Sequence, residues 1–244
     1  MSVSFDRVAD IYDKTRSLPN EVMTQLIEKL ASELDGYRKI LDIGVGTGRF
    51  AEPLQKTGFE VAGIDISKKM IDKAKRKSVK DLLLADARSI PFKDGTFDIT
   101  ISVHLLHLIK EWQKALTEVC RVSRHALISL YYARKDPVRE AYYLLLKPYG
   151  FERRWPGRSE QDLKDVIAPA KLVFACSYDT LADDRITNLQ QGTSSSQWEI
   201  PEDVNLKVVA QLRKEYAGKT FRQDLYLSVW GVDSLKAYAE KMSL

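Results

Sequence analysis

Residues 41–50 read LDIGVGTGRF, a short apolar run followed by glycines at 44, 46 and 48. An apolar run stopped by glycine is the signature of a buried strand turning into a loop. Glycines this dense let the backbone approach a ligand, or another piece of chain, closely. What is missing narrows the choice. A dinucleotide fingerprint requires G-x-G-x-x-G, and its last position here is Arg49. A triphosphate loop requires Gly-Lys-Ser/Thr, and Gly48 is followed by Arg49-Phe50. Asp42, two residues before Gly44, is a poor neighbour for phosphates and a good one for a cationic amine in a partly dehydrated site.

S-adenosylmethionine (SAM) meets that demand, with a ribose and an adenine but no phosphate, and with an ammonium, a carboxylate and a cationic sulfonium. Asp65, in VAGIDIS, ends the next apolar run about twenty residues on, where a carboxylate accepts hydrogen bonds from both ribose hydroxyls. Asp86, in LLLADARSIPF, ends a third run and is placed to accept from the adenine amino group, with the backbone N–H of Ala87 beside it. Each aspartate alone is commonly a turn or cap residue. Three at successive strand ends beside one glycine loop are harder to explain that way.

From about residue 20 to 132 the pattern alternates helix and strand. NEVMTQLIEKLASEL carries a helical apolar stripe, and SKKMIDKAKRK is a helix capped by Ser67. RKILDIG, EVAGIDI, KDLLLADA, TFDITISVHLL and HALISLYYA are the intervening strands. Strands joined through helices predict an α/β fold, a doubly wound and mostly parallel sheet whose ligand lies at the carboxyl ends of its strands. Beyond 132 the rhythm loosens into a segment rich in Tyr, Trp and Arg, with later strands at KLVFACSYDTLA and RQDLYLSVWGV and the helix NLKVVAQLRKEYA between them.

The stretches ILDIGVGTGRFAEPLQKTGFEVAGIDISKKMIDKAK, LLLADARSIPFKDGTFDITISVHLLHLI and ALTEVCRVS resemble the class I SAM-dependent methyltransferases, and most of all the broad group containing the ubiquinone and menaquinone biosynthesis C-methyltransferases. The likeness covers roughly residues 5 to 132. It implies a Rossmann-like seven-stranded sheet with its last strand antiparallel, helices on both faces and an insert in the C-terminal half covering the site. Residues 5–132 would form the cofactor core, 133–200 the substrate-side insert and 201–244 a closing helix and strand, all one domain. SAM is the implied donor and S-adenosylhomocysteine the product. The implied cofactor contacts are Tyr12, Arg16, Asp42, Gly44, Gly46, Gly48, Asp65, Ile66, Asp86, Ala87, Ser102 and Val103. Val45 stands where cysteine or alanine is commoner in the group.

The opening FDRVADIYDKTR resembles the group's N-terminal segment, which folds over the cofactor. On that reading Arg16 holds the methionine carboxylate and Tyr12 lines the methyl pocket; the alternative is a surface helix with a salt-bridging arginine. Methyl transfer from a sulfonium needs alignment and exclusion of water, with a general base only where the acceptor must lose a proton. His104, just after the fourth strand, is the candidate base. Against it stands the reading that His104 and His107 pack in the helix that follows. His104 and His107 lack a third ligand for zinc.

No Asn/Asp-Pro-Pro-Tyr follows the fourth strand and no Pro-Cys nucleophile is present, so neither signature names a substrate. The acceptor expected is a small molecule. Tyr131, Tyr132, Tyr142, Tyr143, Tyr149, Trp155 and Trp198 suit an aromatic, quinone-like or prenylated one, or fill a core; Arg153, Arg154 and Arg158 offer an anion contact or a solvated loop. The net charge of +4 is mild, and the basic helix SKKMIDKAKRKSVK is expected to be a solvated face, an RNA or protein acceptor being the second reading. The third reading is a SAM-binding partner subunit without turnover. Two isolated cysteines, no leader-like N-terminus and no apolar run near the ~20 residues of a membrane span predict a cytoplasmic protein.

Overall fold

Lys39–Ile43 (β1) is the middle of the ligand-binding half of the sheet in a computed structural model that describes residues 3–16 and 18–241. Ile40 faces one core and Leu41 and Ile43 the other, the alternation of a strand covered on both faces. β1 is preceded by Tyr12–Arg16 (α1) and Asn20–Glu33 (α2), and followed by Ala51–Lys56 (α3), Glu60–Asp65 (β2), Lys68–Arg76 (α4) and Leu82–Leu84 (β3). Then come Phe97–Ser102 (β4), Trp112–Val122 (α5), Ser123–Tyr132 (β5), Pro137–Leu146 (α6), Glu160–Leu163 (α7) and Lys171–Leu181 (β6). Ala182–Gln190 (α8), Glu202–Tyr216 (α9), Thr220–Gly231 (β7) and Val232–Lys241 (α10) complete the order.

The seven strands run β3-β2-β1-β4-β5-β7-β6. β1 to β5 pair in parallel, and β7 lies antiparallel to both β5 and β6. This is the Rossmann-like sheet expected, with its last strand antiparallel. Chain order reverses between β1 and β4, where Ile43 is level with Ser102, and Asp65 is level with Leu84 one strand further out. The loops leaving β1, β2, β3 and β4 therefore open on one edge, at the switch point that favours a ligand.

Two cores sandwich the sheet. One joins Leu26 and Leu30 of α2 and Leu54 of α3 to Ile40, Val61, Ile99 and Ile128; the other joins Leu116 and Val119 of α5 and Leu235 of α10 to Leu41, Ile64, Leu127 and Trp230. Side chains of this size bury about 1.5–3 kcal/mol each. A third core lies off the sheet, where Val138, Tyr142 and Leu146 of α6 meet Ile186 and Leu189 of α8 and Val208 and Leu212 of α9. These helices form a cap beside the loop edge. Among the described residues no helix is long and apolar enough to cross a membrane.

Candidate functional site

The glycine loop is held by the strand next to it. Ile64 O accepts hydrogen bonds from Gly44 N (2.8 Å) and Val45 N (2.9 Å), and Asp65 Oδ2 accepts one from Gly46 N (2.9 Å). Gly46 has φ +55° and open space where a side chain would stand, its nearest neighbour being Gly44 O at 3.9 Å. Gly48, at φ +80°, serves packing instead: a Cβ there would lie 2.6 Å from Val79 Cγ2. The loop thus presents bare backbone at Gly46, packs Gly44 against Leu105, whose Cδ1 would lie 3.0 Å from a Cβ there, and turns Gly48 inward.

Gly44, Gly46 and residues at the strand ends line a cavity of about 1180 Å³. That exceeds the ~300–1,000 Å³ typical of a pocket for one small ligand. Tyr12, Arg16, Gly44, Gly46, Asp65, Ile66, Asp86, Ala87, Val103 and His104 all line it. Asp42, Gly48 and Ser102 lie behind this lining. Asp42 is 3% exposed, with Oδ2 lacking a hydrogen-bond partner among the described residues. Burial, and after it the neighbouring Asp65, pushes the Asp42 carboxyl up to about 7. Asp65, also raised by burial, spends one oxygen on Gly46 N and the other on Ser67 N (2.8 Å). Each of its oxygens keeps a lone pair for a further donor. An orphaned buried carboxylate, an open backbone cradle and a carboxylate with spare acceptors fit a cationic ligand bearing vicinal hydroxyls.

Asp86, on the cavity wall, already has a partner within the chain. Arg88 Nη2 donates to its Oδ2 (2.8 Å) and holds Asp86 below the usual carboxylate range, and Arg88 also pairs with Glu111.

The N-terminal segment closes one side. Asp6 Oδ1 accepts from Ser67 Oγ (2.6 Å) and Lys69 N (3.0 Å), Asp10 pairs with Lys73 (3.0 Å), and Asp13 with Lys77 (2.7 Å) and Thr47 Oγ1 (2.5 Å). An acidic stripe at every third or fourth residue thus docks on the basic helix α4 and the glycine loop. Part of the positive charge that the sequence assigns to solvent is consumed here. Arg49, the residue that breaks the dinucleotide pattern, donates to Arg16 O (2.7 Å) and fastens the same segment.

His104 follows β4 at φ +59°, the left-handed region that a non-glycine residue occupies at some cost. It sits in a turn, and the 3-10 turn after it spans Leu106–Leu108. Its ring stacks on Tyr132 (5.6 Å between centroids, 21°) and opens onto the cavity. Burial first, then Arg49, His107, Arg16 and Arg139, holds it well below the ordinary histidine value, so it is neutral at pH 7. His107 is buried against Trp155 (4.3 Å), and its pKa is pushed down to about 3 by burial and then Arg153. Among the described residues no group of three His, Cys, Asp or Glu side chains could hold a metal.

Glu160, absent from the sequence-based candidates, organises this wall. Its Oε1 accepts from Ser102 Oγ (2.7 Å), Leu105 N (2.9 Å) and Leu106 N (3.1 Å), and it is 2% exposed. Gly157 lets the insert lie against the same turn, since a Cβ there would be 2.2 Å from the carbonyl oxygens of Leu106 and Ile109. Of the seven aromatics singled out in the sequence only Tyr132 and Trp155 line the cavity, while Tyr142 and Tyr143 fill the cap core. Arg153 lines it as well; Arg154 and Arg158 do not.

A family described as "Methyltransferase domain" matches residues 41–126, the span from the glycine loop to β5. A phosphatidylethanolamine N-methyltransferase of Cereibacter sphaeroides is 31% identical over 145 residues, covering 55% of this chain and 70% of that one. This chain belongs to the class I SAM-dependent methyltransferases. SAM is the cofactor of the family, and the open cradle with its acidic strand ends is where it fits this chain. A demethylmenaquinone methyltransferase of Renibacterium salmoninarum is 33% identical over 129 residues, which is 51% of this chain and 54% of the relative; the chain spans about half that relative's length. Among solved structures, a SAM-dependent methyltransferase from Thermotoga maritima, titled a possible histamine N-methyltransferase, shares the fold. Its TM-score is 0.54 at 18% identity, over 92% of this chain and 97% of that one.

Proposed function

We propose that this methyltransferase moves the SAM methyl group to a small molecule bound on the insert side of the cavity. The observation that carries the reading is the continuity of one cavity, lined at one end by Gly44, Gly46, Asp65 and Asp86 and at the other by Tyr132, Arg139, Trp155 and Arg185. The cofactor, when bound, supplies an electrophilic methyl on a cationic sulfonium. The chain's part is to hold and align. Asp65 takes the ribose hydroxyls, Ile66 and Ala87 flank the adenine, Asp86 with Arg88 borders it, and Asp42 balances positive charge from behind the loop. Arg16 takes the methionine carboxylate and Tyr12 borders the methyl group. His104, neutral and facing the cavity, accepts a proton at an imidazole nitrogen if the acceptor must lose one.

Residues 5–132 serve as the cofactor core, 133–200 as the acceptor-side insert and 201–244 as the closing helix and strand. Docking of Lys73 and Lys77 on the N-terminal aspartates speaks against the RNA reading, because those lysines are engaged within the chain. Free, buried Cys120 and Cys176 suit a cytoplasmic setting. Incubation with methyl-labelled SAM and fractionated host extract tests the proposal: label should appear in a small-molecule fraction. Label confined to RNA or protein, or no transfer at all, would overturn it.

A further inference from the structure

Among the described residues six arginines line the cavity; Arg49 is fastened to Arg16 O and Arg134 to Asp224, which leaves Arg16, Arg139, Arg153 and Arg185 toward the insert. Three of these four have partners. Arg16 Nη2 donates to Thr193 O (3.2 Å), Arg185 pairs with Asp136 (3.1 Å), and Arg153 lies over the rings of Trp155 (5.1 Å) and Tyr143 (5.8 Å). The Arg139 guanidinium has no hydrogen-bond or ion-pair partner among the described residues. Its backbone N donates to Asp136 Oδ1 (3.0 Å), so Asp136, the N-cap of α6, is divided between that cap and Arg185. The other acids near this wall do not answer Arg139. Glu140 reaches Lys135 (3.7 Å), Glu160 is spent on the β4 turn, and Asp179 and Asp184 are exposed.

The Arg139 side chain is half-buried on this wall, and a charge partly withdrawn from water with no counter-charge of its own is unfavourable. Burial, and after it Arg16, accordingly pulls the Arg139 pKa down to about 10. A second, water-sized cavity of about 10 Å³ opens among Arg16, Arg139 and Arg185, lined also by Asn188, Thr193, Ser194 and Gln197 and by Asp136, whose carboxylate is the one acid there among the described residues. Three guanidinium groups face it against that single carboxylate, which the α6 cap and Arg185 already engage, and it has room for about one oxygen atom. Planar guanidinium groups so placed match the geometry of carboxylate and phosphate.

We infer that the methyl acceptor is an anion, bound by Arg139 and Arg185 through a carboxylate or phosphate group. The inference rests on the methyltransferase reading above, which assigns Arg16 to the cofactor and leaves Arg139 for the second ligand. It selects against an uncharged prenylated or purely aromatic acceptor. Such a molecule would bury Arg139 further without neutralising it.

Titration calorimetry tests this, with inorganic phosphate and acetate as separate probes added to the protein with and without saturating S-adenosylhomocysteine. At least one anion should bind the wild type. Arg139→Gln should weaken that binding at least tenfold, and Arg139→Lys should retain part of it, with affinity for S-adenosylhomocysteine unchanged within twofold. The stronger probe identifies the group as phosphate or carboxylate. Arg185→Gln is the second variant, in case Arg139→Gln does not fold. It frees Asp136 to pair with Arg139 and should weaken the anion at least threefold. Absence of binding by both probes, or unchanged anion affinity in the Arg139 or Arg185 variant, overturns the inference. Failure of S-adenosylhomocysteine to bind the wild type would instead count against the cofactor reading, because the anion titrations are also run without it.

Discussion

Glu160 Oε1 lies 2.9 Å from the backbone nitrogen of Leu105, and across that contact the insert fixes the turn that carries His104 in its left-handed conformation. The carboxylate is buried and its pKa is raised by that burial. Three donors oppose that shift, two of them backbone N–H groups of the turn.

Glu160→Ala should therefore strand buried donors and cost about 1–3 kcal/mol, read in denaturant melts, together with a fall in methyl transfer. Glu160→Gln keeps an accepting oxygen and should retain most of both. A Glu160→Gln protein as damaged as Glu160→Ala would show that the charge matters and not the positioning.

Asp42 links pH to cofactor affinity. Its pKa near 7 in the ligand-free protein lies above the ordinary 3.8, so folded-state stability falls as pH rises between those values. A cation bound nearby reverses the preference by favouring the ionised form. The group is about one-tenth ionised at pH 6 and about three-quarters ionised at pH 7.5. SAM affinity should rise by up to about eightfold over that interval in the wild type, relative to Asp42→Asn. Without SAM, Asp42→Asn should unfold at a higher temperature than the wild type at pH 8. Parallel pH profiles of affinity in the two proteins would exclude Asp42 as the linked group.

The N-terminal segment is fastened by pairs open to solvent, and the half-buried Asp13 pair is worth at most about 1 kcal/mol. Asp13→Ala should weaken SAM binding by up to about fivefold, with the melting temperature little changed. The wild type should lose the same advantage at high salt. Asp6 is lowered first by Ser67 and Asp10 by Lys73, while Asp13 is lowered by Lys77 and Thr47 against the opposing effect of burial. With depressed values the latch is intact above the ordinary 3.8 and is lost as pH falls through the folded-state values. Salt-independent binding equal in both proteins would contradict the latch.

The half of the molecule built from short-range rules was legible in the sequence. Gly44, Gly46, Asp65 and Asp86 sit next to strand ends that their own flanking residues define, and the structure gathers them on one cavity. Asp42 is near in sequence but buried behind the loop, because its position in the β1 alternation turns it into the core. Glu160 and Arg139 escaped notice for a different reason. Glu160 acts on a residue 55 positions away, and the solitude of Arg139 exists only once α6, α8 and α1 are packed together. One signal does stand in the sequence: Asp6, Asp10 and Asp13 recur at intervals of four and three, and Lys69, Lys73 and Lys77 at intervals of four, so each set falls on one helical face.

Calorimetric titration of S-adenosylhomocysteine into the wild type and Asp65→Ala tests most directly the claim that the glycine loop and the β2 carboxylate form the cofactor site. One equivalent should bind the wild type, and Asp65→Ala should bind at least a hundredfold more weakly, as expected when a charge-assisted contact worth about 1.5–3 kcal/mol and the Gly46 anchor are lost together, while its circular dichroism stays that of the folded protein. Wild-type affinity in Asp65→Ala would contradict the claim.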